Sequence, residues 1–245
     1  MAIDNILERT IPGAEFHQNR YARLLADTVR PDVAWLDVGA GHRLHSGWKH
    51  DRPGDIVRRA GVLIGCDLVP EHLHEHPLIT AGVVADVGDL PFRNGSFELV
   101  TANMVLEHLR DPAAAFAEIA RVLRPGGEFA FVTPNRRNPA VWFAATFLRP
   151  RWRSAFSLAF ERREARDVFP THYRANTAAS ISRLAKTAGL DASVVEVFQS
   201  YPFAKRPRAL VSLEANWLRL VRRWWPTFGS NIVGKLVKAP STAAS

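Results

Sequence analysis

The sequence predicts an α/β fold, a doubly wound and mostly parallel sheet with helices on both faces. Three observations carry that expectation. Short apolar runs alternate with helix-period segments through the first half of the chain, the pattern of successive βαβ units. The first run passes straight into a Gly-x-Gly turn, Gly39-Ala40-Gly41. The second and third runs each finish on an acid, Asp67 and Asp86. Ligands of doubly wound sheets bind at the carboxyl ends of the strands, so a glycine turn and two acids at successive ends mark a candidate site.

Residues 1–30 read as an N-terminal helical segment. Strands follow at 33–38, 62–66, 83–85, 97–102 and 128–133, each short, apolar and bounded by turn residues, as strands buried on both faces are. The helix before the fifth strand has Asp111 as its cap and Pro112 at its first position. Phe116, Ile119, Ala120 and Leu123 then fall at i, i+3, i+4 and i+7, and Pro125-Gly126-Gly127 stops the helix. A second such helix follows Thr177, with Ile181, Leu184, Ala185 and Ala188 as its stripe and Gly189 as its end. Strands at 194–198 and 231–237 bring the sheet to seven, joined by a basic, Trp-containing helix at about 210–225. The chain thus divides into a core over 31–135, a helical cap inserted after strand five over 136–175, the rest of the core over 176–239, and a tail, 240–245, expected to be disordered.

A length of 245 residues suits one such domain with a cap, and 47% hydrophobic residues supply a full core. The single cysteine, Cys66, excludes a disulfide framework and fits a reducing compartment. No run approaches the roughly 18 apolar residues of a spanning helix, and Asp4 and Glu8 among the first residues do not read as a signal peptide. A cytoplasmic location is expected, with peripheral contact at the inner face of the membrane as a further option. The net charge of +8 admits nucleic acid, anionic lipid or phosphorylated substrates as partners.

Glycine after the first strand permits a tight turn and lets a ligand approach the backbone. Asp67 could accept both hydroxyl protons of a ribose, and Asp86 lies where an adenine amino group could be reached. The stretches LDVGAG, GCDL, ADVGDLPFRNGSFELVTANMVLEHLRDP and RVLRPGGEF, in that order, resemble successive motifs of the class I S-adenosylmethionine-dependent methyltransferases, of the type 11 kind. The resemblance is close over 36–134 and implies a Rossmann-like core. It further implies that Asp37, Gly39, Ala40 and Gly41 bind the methionine part of S-adenosylmethionine, that Asp67 with Leu68 holds the ribose, that Asp86 and Val87 flank the adenine, and that Asn103 lies beside the transferred methyl group. One departure is plain. The continuation past Gly41, His42-Arg43-Leu44-His45-Ser46-Gly47-Trp48 with Pro53-Gly54 beyond, predicts a short or broken helix where the family has a long one.

Methyl transfer to oxygen needs a base, and His108 in Leu106-Glu107-His108-Leu109 is the candidate, with a structural role as the alternative. His172 and Tyr173 are second candidates, while Glu107 is expected to orient or cap. The run Glu71-His72-Leu73-His74-Glu75-His76 has spacings seen at zinc sites, but Pro70 and Pro77 bracket it and no further ligand set is evident. It is read as a solvated loop, and no metal is expected.

The cap mixes Trp and Phe with arginines, among them Arg149, Arg151, Arg153, Arg162 and Arg163. These arginines are either solvated or bind an anionic acceptor, with Arg162, Arg163 and Arg174 as the contacts. The segment 167–177 resembles bacterial methyltransferases associated with surface-polysaccharide biosynthesis, which implies a sugar or lipid-linked acceptor. In the last helix, Leu210, Leu213, Trp217, Leu220 and Trp224 form a stripe expected to pack on the core, with an anionic membrane surface as the alternative.

The expected function is methyl transfer to an oxygen of a small-molecule, sugar or lipid-linked acceptor. The alternatives are an RNA methyltransferase and a non-catalytic S-adenosylmethionine-binding protein. Nucleic acid is not the expected partner. Strand four runs into Asn103-Met104-Val105 and lacks the Asn-Pro-Pro-aromatic loop of enzymes that methylate base amines.

Overall fold

The computed structural model describes residue 10 and residues 16–44, 53–147, 169–198 and 208–240. Helix α1 (His17–Thr28) leads into β1 (Ala34–Val38), α2 (Pro53–Arg59), β2 (Val62–Asp67), α3 (Pro70–Glu75) and β3 (Ala81–Val84). The chain then returns to the middle of the sheet with β4 (Phe97–Asn103), a 3-10 turn (Leu106–His108), α4 (Pro112–Val122) and β5 (Leu123–Pro134). After β5 come α5 (Pro139–Phe147), α6 (Ala178–Thr187), β6 (Leu190–Phe198), α7 (Arg208–Trp224), a second 3-10 turn (Pro226–Phe228) and β7 (Asn231–Lys238); most of the expected cap, residues 148–168, lies outside the described residues.

The seven strands lie in the order β3-β2-β1-β4-β5-β7-β6. Strands β1 to β5 pair in parallel, and β7 runs antiparallel to both β5 and β6. Strand order reverses between β1 and β4, which places the crevice of the fold at their carboxyl ends.

The central strands are mostly apolar because both faces are covered. Along β4, Leu99 faces one core and Val100 the other; along β5, Phe129 and Phe131 face one and Ala130 and Val132 the other. One core gathers Phe116 and Ile119 of α4 and Ile181 of α6. The opposite core gathers Tyr21 and Leu25 of α1 and Ile56 of α2. Burying a residue of this size contributes about 1.5–3 kcal/mol.

Local signals act as their chemistry predicts. Asp111 accepts hydrogen bonds from the amides of Ala113 and Ala114 at the start of α4. Thr177 and Ser180 form a reciprocal capping box on α6, and Gly189 ends that helix at φ +74°. The segment after Gly41 turns over residues 41–44, and α2 beyond it has only seven residues, the short helix expected.

Three expectations need correction. The third strand is Ala81–Val84, two residues upstream of its expected place, because its register is set by pairing with β2; Asp86 consequently lies two residues past the strand. The histidine run is not a solvated loop: Pro70 starts α3, and that helix packs on β3 and β2 with His72 and the following His76 buried. The stripe of α7 does not pack on the core. Leu213, Trp217, Leu220 and Trp224 are exposed, and the helix instead buries Val211, Ala215 and Leu218. An amphipathic pattern states that one face is apolar, and here the residues on the other side are the buried ones.

Candidate active site at the carboxyl ends of the strands

Asp37 lies inside β1, on the rung where it pairs with Thr101 of β4 and Gly65 of β2. The Thr101 hydroxyl donates to Asp37 Oδ1 and in turn accepts from Trp35 Nε1 at 2.7 Å. Burial pushes the Asp37 carboxyl up to about 7; the Thr101 hydrogen bond opposes the shift, and the Asp67 charge adds to it. Tyr21 of α1 is fully buried beside this carboxylate, and its phenol is held well above the usual range, first by burial and then by the Asp37 charge.

Past Asp37 the chain turns through Gly39 at φ +63° and Gly41 at φ +58°. A side chain on Gly39 would place its Cβ 2.5 Å from Val105 Cγ2, so the loop after β4 closes directly on this turn. Asp67 at the end of β2 accepts from the amides of Gly41 and Val69, both at 2.9 Å. Its carboxylate thereby locks the glycine turn to β2. Leu68 beside it is exposed. Asp86 is exposed and accepts from the Gly88 amide at 2.8 Å, and Val87 packs against the core.

Asn103 ends β4 and exchanges two hydrogen bonds with Gln18 of α1, at 3.0 and 2.9 Å, while also donating to Leu44 O. Sequence reasoning missed the contribution of α1. Its signal was available: Gln18, Tyr21, Ala22 and Leu25 occupy i, i+3, i+4 and i+7, so a glutamine sits on the core-facing stripe. A buried polar residue on such a stripe needs a partner.

The second group of residues gathers around Glu107. This carboxylate is buried, and its Oε2 accepts from Thr133 Oγ1 at 3.1 Å. Asn176 donates to the same Thr133 oxygen at 2.6 Å and to Pro134 O. The Glu107 carbonyl accepts from the amides of both His172 and Tyr173. Glu107 thus ties the β4 loop, β5 and the chain returning from the cap into one network. His108 Nδ1 lies 2.9 Å from Pro170 O, and its Nε2 lies 3.8 Å from Glu107 Oε1. The structure brings His108, His172 and Tyr173 together at one edge of the crevice. Phe169 links that edge to the Asp67 edge, its ring centroid 6.0 Å from that of His108 and 6.2 Å from that of His72.

Met104 and Tyr173 hold positive φ values of +58° and +51°. Such conformations are costly for residues with side chains and concentrate where a structure over-determines a site. Arg174 is exposed, and its Nη1 donates to Arg110 O, an anchor for the returning chain. Arg162 and Arg163 lie outside the described residues, as do Arg149, Arg151 and Arg153. Among the described residues no group of three or more His, Cys, Asp or Glu is placed to hold a metal ion. A cavity of about 200 Å³ lies at the opposite ends of the strands, lined by Arg30, Asp32, Glu98 and Arg124 among others. Ion pairs from Arg30 to Glu128 and from Arg124 to Glu98 occupy its charges, so it does not compete with the crevice.

The residues present suit S-adenosylmethionine. A buried carboxylate whose charged neighbour is another carboxylate favours an ammonium group, and the backbone at Gly39 and Gly41 leaves room for close approach. Residues 36–131 match the model of the methyltransferase domain family. A protein of Mycolicibacterium smegmatis described as a probable S-adenosylmethionine-dependent methyltransferase is 29% identical over 192 residues, covering 75% of this chain and 64% of that protein. A ubiquinone biosynthesis O-methyltransferase of Sodalis glossinidius is 30% identical, covering 59% and 51%. The solved S-adenosylmethionine-dependent methyltransferase of Mesorhizobium loti shares the fold, with a TM-score of 0.57 at 19% identity over 88% of this chain and 96% of that one. The chain spans 64%, 34% and 33% of the length of three curated relatives that it matches.

Proposed function

We propose that the chain carries a class I S-adenosylmethionine-dependent methyltransferase domain and that it methylates an oxygen of a small-molecule, sugar or lipid-linked acceptor. The observation that carries the reading is Asp37, buried on the central rung, where it accepts from the Thr101 hydroxyl and a second acid raises its pKa further. The ammonium of a methionine moiety would neutralise it. Gly39, Ala40 and Gly41 would receive the rest of that moiety, with Asn103 alongside. Asp67 with Leu68 would hold the ribose, Asp67 accepting from its hydroxyls, and Asp86 and Val87 would border the adenine.

Bound S-adenosylmethionine supplies a sulfonium methyl group, an excellent electrophile. The chain's own task is to align the acceptor and remove its proton. Alignment can supply roughly 7–11 kcal/mol. For the proton, the tautomer of His108 is decisive. A carbonyl oxygen only accepts, so Nδ1 carries the hydrogen donated to Pro170 O and Nε2 keeps its lone pair. Glu107 Oε1, 3.8 Å from Nε2, would stabilise the imidazolium formed once that nitrogen takes the proton. His172 and Tyr173 stand behind His108 as alternative bases, and Arg162, Arg163 and Arg174 as contacts to an anionic acceptor. The oxygen acceptor is supported by the similarity to an O-methyltransferase.

The test is transfer of labelled methyl groups from the cofactor by purified protein into a cell lysate, fractionated into lipid, glycan, RNA and small molecules. Label in the lipid, glycan or small-molecule fraction is expected. Label confined to RNA would overturn the acceptor class. Cofactor binding by calorimetry with no label anywhere would leave a binding protein without catalysis.

A further inference from the structure

Helix α7 has two apolar faces. The inward face, Val211, Ala215 and Leu218, is at most 9% exposed. The outward face, Leu213, Trp217, Leu220 and Trp224, is between 51% and 68% exposed. These four residues fall at i, i+4, i+7 and i+11, a single stripe about 16 Å long at 1.5 Å per residue. Water is a poor neighbour for two leucines and two tryptophans in one line, and contiguous exposed apolar surface marks an interaction site.

The charges beside the stripe select the occupant. Arg219 and Arg223 are exposed on its polar flank, and Arg223 lies over the Trp224 ring at 5.9 Å. Residues 205–225 contain six basic residues, Lys205, Arg206, Arg208, Arg219, Arg222 and Arg223, against one acid, Glu214. Leu and Trp on one face with arginine on the flank is the chemistry of a helix lying in a bilayer interface, where tryptophan sits at headgroup depth. A second copy would bring the same basic flank against itself in a chain already at +8. A nucleic acid would stack on the tryptophans but gain nothing from the leucines between them. No helix among the described residues is long and apolar enough to cross a membrane, so contact would be peripheral.

We propose that the outward face of α7 binds an anionic lipid bilayer, with the Leu–Trp stripe at the boundary between headgroups and acyl chains and Arg219 and Arg223 on lipid phosphates. The helix also connects to the crevice. It ends at the turn Pro226–Phe228, and Asn135 just past β5 donates to Thr227 O and Gly229 O, while Asn138 donates to Phe228 O. Docking α7 therefore holds the carboxyl end of β5, where the cap begins, near the lipid surface. The binding itself stands whether or not the methyltransferase reading does.

The experiment is co-sedimentation of the whole chain with phosphatidylcholine vesicles and with vesicles of phosphatidylcholine and phosphatidylglycerol. Binding is expected to the anionic vesicles only and to weaken with salt. Leu213→Ser with Trp217→Ser should lower partitioning by about tenfold or more, since two apolar side chains leave the interface. Arg219→Gln and Arg223→Gln should each lower it by about fivefold on anionic vesicles. Thermal melting of these variants should match the parent, because the replaced side chains lie outside the core. Absence of binding to anionic vesicles, or equal binding by the Leu213/Trp217 variant, would overturn the proposal. So would a dimer in sedimentation equilibrium that Trp217→Ser dissociates, or RNA binding that the same change abolishes.

Discussion

His108 Nδ1 lies 2.9 Å from the carbonyl oxygen of Pro170, which joins the loop after β4 to the chain returning from the cap and leaves Nε2 as the basic nitrogen. His108→Gln is expected to preserve cofactor affinity and lower turnover by roughly 10²–10⁴-fold, the contribution of a general base. Steady-state rates beside calorimetry of S-adenosylhomocysteine binding measure both. Near-normal turnover would make His108 a purely structural contact.

Asp37 predicts a pH dependence with a definite sign. Its carboxyl is raised from 3.8 to about 7, so between those values the folded chain holds a proton that the unfolded chain has lost. Its contribution to stability therefore falls as pH rises from about 4 to 7 and is constant above. An ammonium bound beside Asp37 favours the carboxylate. Cofactor binding at pH 6 should release protons, and at pH 8 it should not, as calorimetry in two buffers of different ionisation enthalpy would report. Asp37→Asn should abolish the release and weaken binding; release unchanged in that variant would place the titration elsewhere.

Gly39→Ala combines a left-handed backbone with a Cβ that meets Val105 Cγ2 at 2.5 Å. Strain of this kind costs about 1–3 kcal/mol. The variant is expected to melt at lower temperature and to bind cofactor less tightly, because Val105 must shift and the loop carrying His108 shifts with it. Parent-like melting and binding would show that the turn tolerates the methyl group.

His76 is lowered to about 4, chiefly by burial, with the His42 charge adding to the shift. Its Nδ1 accepts from the amides of Leu78 and Ile79, so protonation breaks two hydrogen bonds. Since its folded pKa is depressed, the contribution is present above about 6.5 and is lost as pH falls toward 4. Over that range Asp37 acts in the opposite direction, so the His76 contribution is read as the difference in melting temperature between the parent and a His76 variant. As pH falls toward 4, His76→Asn, which keeps an acceptor that does not titrate in this range, should gain melting temperature relative to the parent.

By itself the sequence determined the βαβ alternation, the glycine turn, the acid at the end of β2 and the caps of α4 and α6. These are local matters. A left-handed turn asks for glycine, a helix start asks for Asp111 or Thr177, and a strand covered on both sides is mostly apolar. Tertiary structure alone decided which contacts those residues make. Asp67 locks the glycine turn through the Gly41 amide because β1 and β2 pair in that register. Gln18 meets Asn103 across 85 positions of sequence, a pairing that periodicity within α1 does not encode. The same limit explains the two misread segments. Two prolines made the histidine run look like a loop, yet Pro70 starts a helix whose burial depends on β2 and β3 beneath it. The spacing in α7 revealed an apolar face, but which face is buried depends on the shape of the surface receiving it, and that surface is assembled by the fold as a whole.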